Sequence, residues 1–114
     1  MTTSSAELLA LAGLVEELPP AGSYQLECDI YERAGKYAAM GDIGRVPVYT
    51  RSIDAAVTLV PEPGKWSITA ASGGHWEAAV WLVDGTNLDW IKAATPALAL
   101  CAAALKARAQ EQKS

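Results

Sequence analysis

The side chains able to do chemistry in this 114-residue chain are few and scattered. His75 is its one histidine, and Glu77 follows two positions later. Side chains at i and i+2 of a strand share a face, so an acid–base pair is geometrically open there. A surface histidine beside a turn is the plainer reading. Cys28 and Cys101 stand far apart with no Cys-x-x-Cys pair, and with one histidine they do not make a metal site. A nucleophilic Cys101 would need a base beside it. It falls instead on an apolar helical stripe, which predicts an inert buried thiol. Ser72-Gly73-Gly74 has the small residues of a phosphate loop, but no Lys-[Ser/Thr] follows, so it reads as a hairpin turn.

Two further groups are candidates for binding. Tyr49, Arg51 and Asp54 fall at a strand-to-helix junction, a place where open α/β sheets bind ligands. A nucleotide-like molecule is the ligand class they suggest, and a capping and turn arrangement is the alternative. The four tryptophans, Trp66, Trp76, Trp81 and Trp90, are many for a chain with no phenylalanine. Tryptophan is enriched at the energetic centres of interfaces. Trp66 and Trp76 are expected to meet across a hairpin in the core, with Trp81 on the opposite face. Trp90, next to Asp89 in a loop, is the expected exposed anchor.

Charge is unevenly placed. Residues 1–32 carry Glu7, Glu16, Glu17, Glu27, Asp29 and Glu32, and all nine Lys and Arg residues come later. The net charge of −4 gives no basic footprint for nucleic acid. An acidic surface including Glu16, Glu17 and Glu27 would suit a basic protein partner, because complementary potentials steer association. A solvated helix face is the plainer reading.

The elements that must position these residues follow from periodicity. A hydrophobic fraction of 51% against 19% charged residues argues for one folded domain spanning 1–114. No apolar run reaches the roughly 18 residues that span a bilayer. The N-terminus has no basic region followed by an apolar one, so no secretion signal is expected, and cytoplasmic, reduced cysteines are. Ser4 with Glu7 forms a capping box for a first helix. Leu8, Leu11, Val15 and Leu18 make its stripe, Leu9 and Leu14 widen it, and Pro19-Pro20 closes it. Ser23 to Ala34 fits both a strand, by alternation, and a helix capped by Ser23.

Val46, Val48 and Tyr49 read as a strand. Ser52 then caps a helix whose stripe is Ile53, Ala56, Val57 and Val60, ended by Pro61, Pro63 and Gly64. Trp66, Ile68 and Ala70 share a strand face, and the apolar run from Trp76 to Val83 predicts a central strand covered on both faces. The segment 84–93 is expected to be a loop. Thr95 and Pro96 then start an alanine-rich helix with Leu98, Cys101, Ala102 and Leu105 as its stripe.

Three stretches resemble a family. They are Ser23-Tyr-Gln-Leu-Glu-Cys-Asp-Ile-Tyr-Glu-Arg-Ala-Gly35, then Val46-Pro-Val-Tyr-Thr-Arg-Ser-Ile-Asp-Ala-Ala-Val-Thr-Leu-Val-Pro-Glu62 with Trp66, and last Ala94-Thr-Pro-Ala-Leu-Ala-Leu-Cys-Ala-Ala-Ala-Leu-Lys-Ala-Arg108. Together they cover close to half of the chain and look like the phage ABA-sandwich domain family, small phage and prophage proteins of uncharacterised role. The middle stretch is the most specific. Pro63 departs from the family's Pro-Glu-Gly turn. The resemblance implies a sheet between helical layers, a helix over 23–34, and no enzyme activity to carry over.

The expected fold is therefore α+β. A small, mainly antiparallel sheet, a β-hairpin plus a further strand, is layered between helices in the order α-α-β-α-β-β-α. The expected function is that of a non-enzymatic phage or prophage accessory protein. It would bind a host or phage protein in the bacterial cytoplasm, with inhibition of a host defence factor as a specific role. Tyr49, Arg51, Asp54, Trp90, Glu16, Glu17 and Glu27 are the candidate contact residues. No cofactor, metal, membrane or nucleic-acid partner is expected. A nucleotide-like ligand binder and a homo-oligomeric virion or assembly component are the alternatives.

Overall fold

Alanine at seven of the fourteen positions from Pro96 to Ala109 gives a helix with strong intrinsic propensity and almost no girth. It forms α4 (Pro96–Lys113) and is buried all round from Ala97 to Leu105. Every residue from Ala97 to Leu105 is buried, so the stripe of Leu98, Cys101, Ala102 and Leu105 is only part of what is covered. A helix apolar on every side belongs in the middle of a domain. Thr95 caps it, its Oγ1 accepting from the Leu98 N–H at 3.2 Å.

In this computed structural model the described residues are 5–19, 21–33, 49–60, 65–81 and 90–113. Around α4 lie α1 (Ser5–Glu16), α3 (Ile53–Val57) and a three-stranded antiparallel sheet of β1 (Lys65–Ala70), β2 (Trp76–Trp81) and β3 (Ile91–Ala93). A further helix, α2 (Tyr24–Arg33), packs on α1. The fold is α+β, with the hairpin, the third strand and the helices against the sheet. Among the described residues no helix is long and apolar enough to cross a membrane.

The hairpin forms where expected. Gly73 and Gly74 both take φ of 80°, which no other residue type adopts at so little cost, and carry a 3-10 turn. β2 is the central strand, and Ala78, Ala79 and Val80 are wholly buried. Trp66 pairs with Val80, Ile68 with Ala78, and Ala70 with Trp76, so these six side chains share the face that α4 covers. Trp66 and Trp76 lie at its margin and stay partly exposed, rather than meeting in the core.

Several local expectations need correcting. Leu9 and Leu14 do not widen the buried stripe of α1. Ala12 is buried in their place, and both leucines are exposed. Region 23–33 needs no correction: it is the helix that the resemblance implies, started by Ser23, whose Oγ accepts from the Leu26 N–H at 3.2 Å. Ser52 caps α3 as expected, but that helix tightens into i→i+3 bonds after one turn, with Leu59 and Val60 buried beyond it. The segment read as a loop before α4 contains β3. The expected strand at Val46–Tyr49 lies outside the described residues except for Tyr49, which is in a turn. Ser4, Ala34 and Pro61 to Gly64 also lie outside them.

Candidate functional site

The junction of α2 and α3 is a closed polar network. Gly22 has φ of +75° and lies against the turn that precedes α3. A Cβ there would stand 2.5 Å from Thr50 Oγ1 and 2.8 Å from Arg51 Cγ. Because nothing fills that space, the Ser23 N–H reaches Thr50 Oγ1 at 3.1 Å. The Thr50 hydroxyl then donates to Glu27 Oε2 at 2.7 Å, and the Thr50 N–H donates to the same oxygen at 3.2 Å. Arg51 closes the set with a fork: Nε to Oε2 at 3.1 Å and Nη2 to Oε1 at 2.9 Å.

Glu27 is wholly buried. Burial alone would push its carboxyl up, but the bonds from Arg51 and Thr50 and the Arg51 charge outweigh it. The carboxyl is held below the usual carboxylate range. A buried charge with hydrogen bonds to both of its oxygens is a clasp between two segments.

Beside this clasp, the starts of α3 and α4 border a cleft of about 430 Å³. Arg51, Ser52, Ile53 and Asp54 line one side and Thr95, Pro96 and Ala97 the other. Two of the three sequence candidates for a ligand site, Arg51 and Asp54, are thus brought together. Their charges do not suit a polyphosphate, because Arg51 is already neutralised by Glu27 and Asp54 adds a carboxylate.

Tyr49 is not among the lining residues. It is wholly buried, so it offers no surface to a ligand. Burial first, then Tyr31 and Cys101, push its hydroxyl up to about 12, against a smaller opposing effect of Arg108. That hydroxyl meets no hydrogen-bond partner among the described residues.

The remaining candidates separate. Burial pushes the Cys101 thiol well up, away from the thiolate a nucleophile needs. His75 is on the exposed hairpin turn, so it shares no site with that thiol. Glu77 is half-buried in β2, opposite Thr69 and Lys92. Trp90 is exposed and meets Trp81 edge to face, with centroids 6.2 Å apart.

The expected acidic surface shrinks. Glu27 is inside, and Glu16 pairs with Lys106 at 3.0 Å, while Glu17 is exposed. Around Glu17 the outer side of α1 also presents Leu9 and Leu14, the latter 53% exposed.

Sequence reasoning missed Gly22 and Thr50 and misread Glu27. One signal was present: Glu27 and Ile30 are i and i+3, so the carboxylate shares a helix face with a core residue. The partner 23 residues away had no local mark.

Comparison with protein-family models, with curated proteins and with solved structures returns no match.

Proposed function

We propose that this chain acts by binding another protein, through the outer face of α1. The observation that carries this reading is the exposure of Leu9 and Leu14 on a helix whose buried stripe, Leu8, Leu11, Ala12 and Val15, is fully engaged in the core. Glu17 stands one turn from Leu14 on that face, within a 32-residue stretch that has no Lys or Arg. The partner that fits is a protein with an apolar groove flanked by basic side chains. The resemblance of the chain to small phage proteins supports a phage or prophage accessory role. Its partner would then be a host cytoplasmic protein such as a defence factor.

The immobilised protein should retain a partner from bacterial lysate, and moderate salt should weaken that retention only in part. Leu14→Arg should abolish it while leaving the urea midpoint unchanged. Retention by the variant equal to the parent would overturn the reading.

A second reading rests on the cleft between Arg51, Asp54, Thr95 and Pro96, which would take a small polar molecule. Ligand bound only to the native state raises stability by RT ln(1+[L]/Kd), so a thermal-shift screen at millimolar ligand reports on it. No shift for any nucleotide or amino acid removes it.

A further inference from the structure

β1 is an edge of the sheet, paired among the described residues only with β2. An exposed edge is a template for another strand, and proteins usually blunt one with a charge, a proline or a bulge. β1 has the sequence Lys-Trp-Ser-Ile-Thr-Ala, with its one charge, Lys65, at the end of the strand and none from Trp66 to Ala70. The face that β1 and β2 turn toward α4 is apolar beyond the cover that helix gives, with Trp66 of β1 41% and Trp76 of β2 37% exposed. Apolar side chains this large at an edge whose only charge is at one end mark a place of contact.

The order of side chains along β1 identifies the occupant. In an antiparallel pair, residues directly opposite lie on the same face. Turning β1 about a two-fold axis at Ile68 sets Ile68 against the partner's Ile68, and Trp66 against the partner's Ala70. Ala70 already has Trp76 at its other side, on β2. The resulting row across the sheet reads Val80, Trp66, the partner's Ala70, the partner's Trp76. One small residue thus lies between two indoles, which can close over it. The symmetry repeats the row on the other side of the axis.

On the second face, Ser67 meets the partner's Thr69, a pair that can hydrogen-bond. Lys65 falls opposite the partner's Ala71, so no like charges oppose one another. A six-residue strand is about 20 Å long, enough to join the two sheets into one of six strands.

We infer that β1 is the symmetric interface of a homodimer, in which two copies pair edge to edge about Ile68. The surface is separate from the outer face of α1, though both belong to a protein that works by contact. The interface is small, at the low end of specific ones, so the dimer dissociates on dilution.

Sedimentation equilibrium from low micromolar to millimolar chain tests it. The parent should pass from one chain mass to two. Ser67→Lys with Thr69→Lys sets lysines opposite each other in this register and should hold the mass at one chain throughout. Ser67→Lys with Thr69→Glu sets opposite charges there and should restore the dimer or tighten it. If the lysine pair does not fold, Ala70→Glu, at an exposed position beneath the partner's Trp66, replaces it with the same expected outcome. A parent at one chain mass at every concentration overturns the dimer, and equal behaviour of the two double variants overturns the register. A monomer that still binds a partner through α1 would defeat this inference and leave the proposed function standing.

Discussion

Glu27 and Leu14 lie on neighbouring helices, and each stands where residue type alone would put the other. The carboxylate is wholly buried and the leucine is 53% exposed. Four N–H or O–H groups reach the two Glu27 oxygens, and a fifth, the Ser23 N–H, reaches Thr50 Oγ1, a set with few degrees of freedom left. Around Leu14 the helix has its buried apolar residues on one side and carries two more leucines on the flanks of that stripe. The inner polar site holds two segments of this chain together, and the outer apolar site is the one we propose for a partner chain. Burial therefore separates structural from contact residues here, and hydropathy does not.

Removing the clasp is the strongest challenge to that division. Glu27→Ala strands the Thr50 hydroxyl and N–H and frees Arg51, and we expect a loss of about 3 kcal/mol by urea unfolding. Loss below ~0.5 kcal/mol would mean that Glu27 is no more structural than a surface carboxylate. Gly22→Ala tests the same clasp from the backbone side. It adds a Cβ at a positive φ and against Thr50 Oγ1, for an expected cost of about 2 kcal/mol.

Acid sharpens the comparison further. The folded-state Glu27 carboxyl is held below its ordinary value, so the native state binds fewer protons than the unfolded state in that window. Its contribution is complete above the unfolded carboxylate value of 4.5 and is lost as pH falls through the depressed folded value. Glu27→Gln should be less stable at neutral pH and should flatten the dependence below that point. Equal acid profiles for parent and variant would remove the carboxylate from the account.

The smallest effect is expected at Tyr49. Its hydroxyl is buried without a described partner, so Tyr49→Phe should be neutral or stabilising by up to ~1 kcal/mol in thermal unfolding. A clear loss would show that the hydroxyl has a partner in the folded state.

How much of this could be read beforehand depended on the range of the interactions. Ser23, Ser52 and Thr95 each cap the helix they precede, and the Ser72-Gly73-Gly74 turn forms, because caps and turns are decided within four residues. The burial of Ala78 to Val80 in β2 was legible in a nearly continuous apolar run, and that of α4 in its alanines. β3 was missed because three residues, Ile91 to Ala93, carry too short an alternation to stand out. Leu9 and Leu14 were assigned to the core because periodicity gives a stripe but not its width, which the partner elements decide. The Glu27 clasp was illegible as a whole, since its partners come together only after α2 and the turn at Thr50 have packed. Of the site candidates, Arg51 and Asp54 do border one cleft, while Tyr49 and Glu27 belong to the interior.

The division between an inner clasp and an outer contact face is tested most directly by one paired measurement on Leu14→Arg: partner retention and urea midpoint on the same protein sample. The account predicts an unfolding free energy within ~0.5 kcal/mol of the parent's, as for an exposed position, and at least a tenfold fall in retention. A variant that retains its partner unchanged, or that loses it only because it has unfolded, would contradict it.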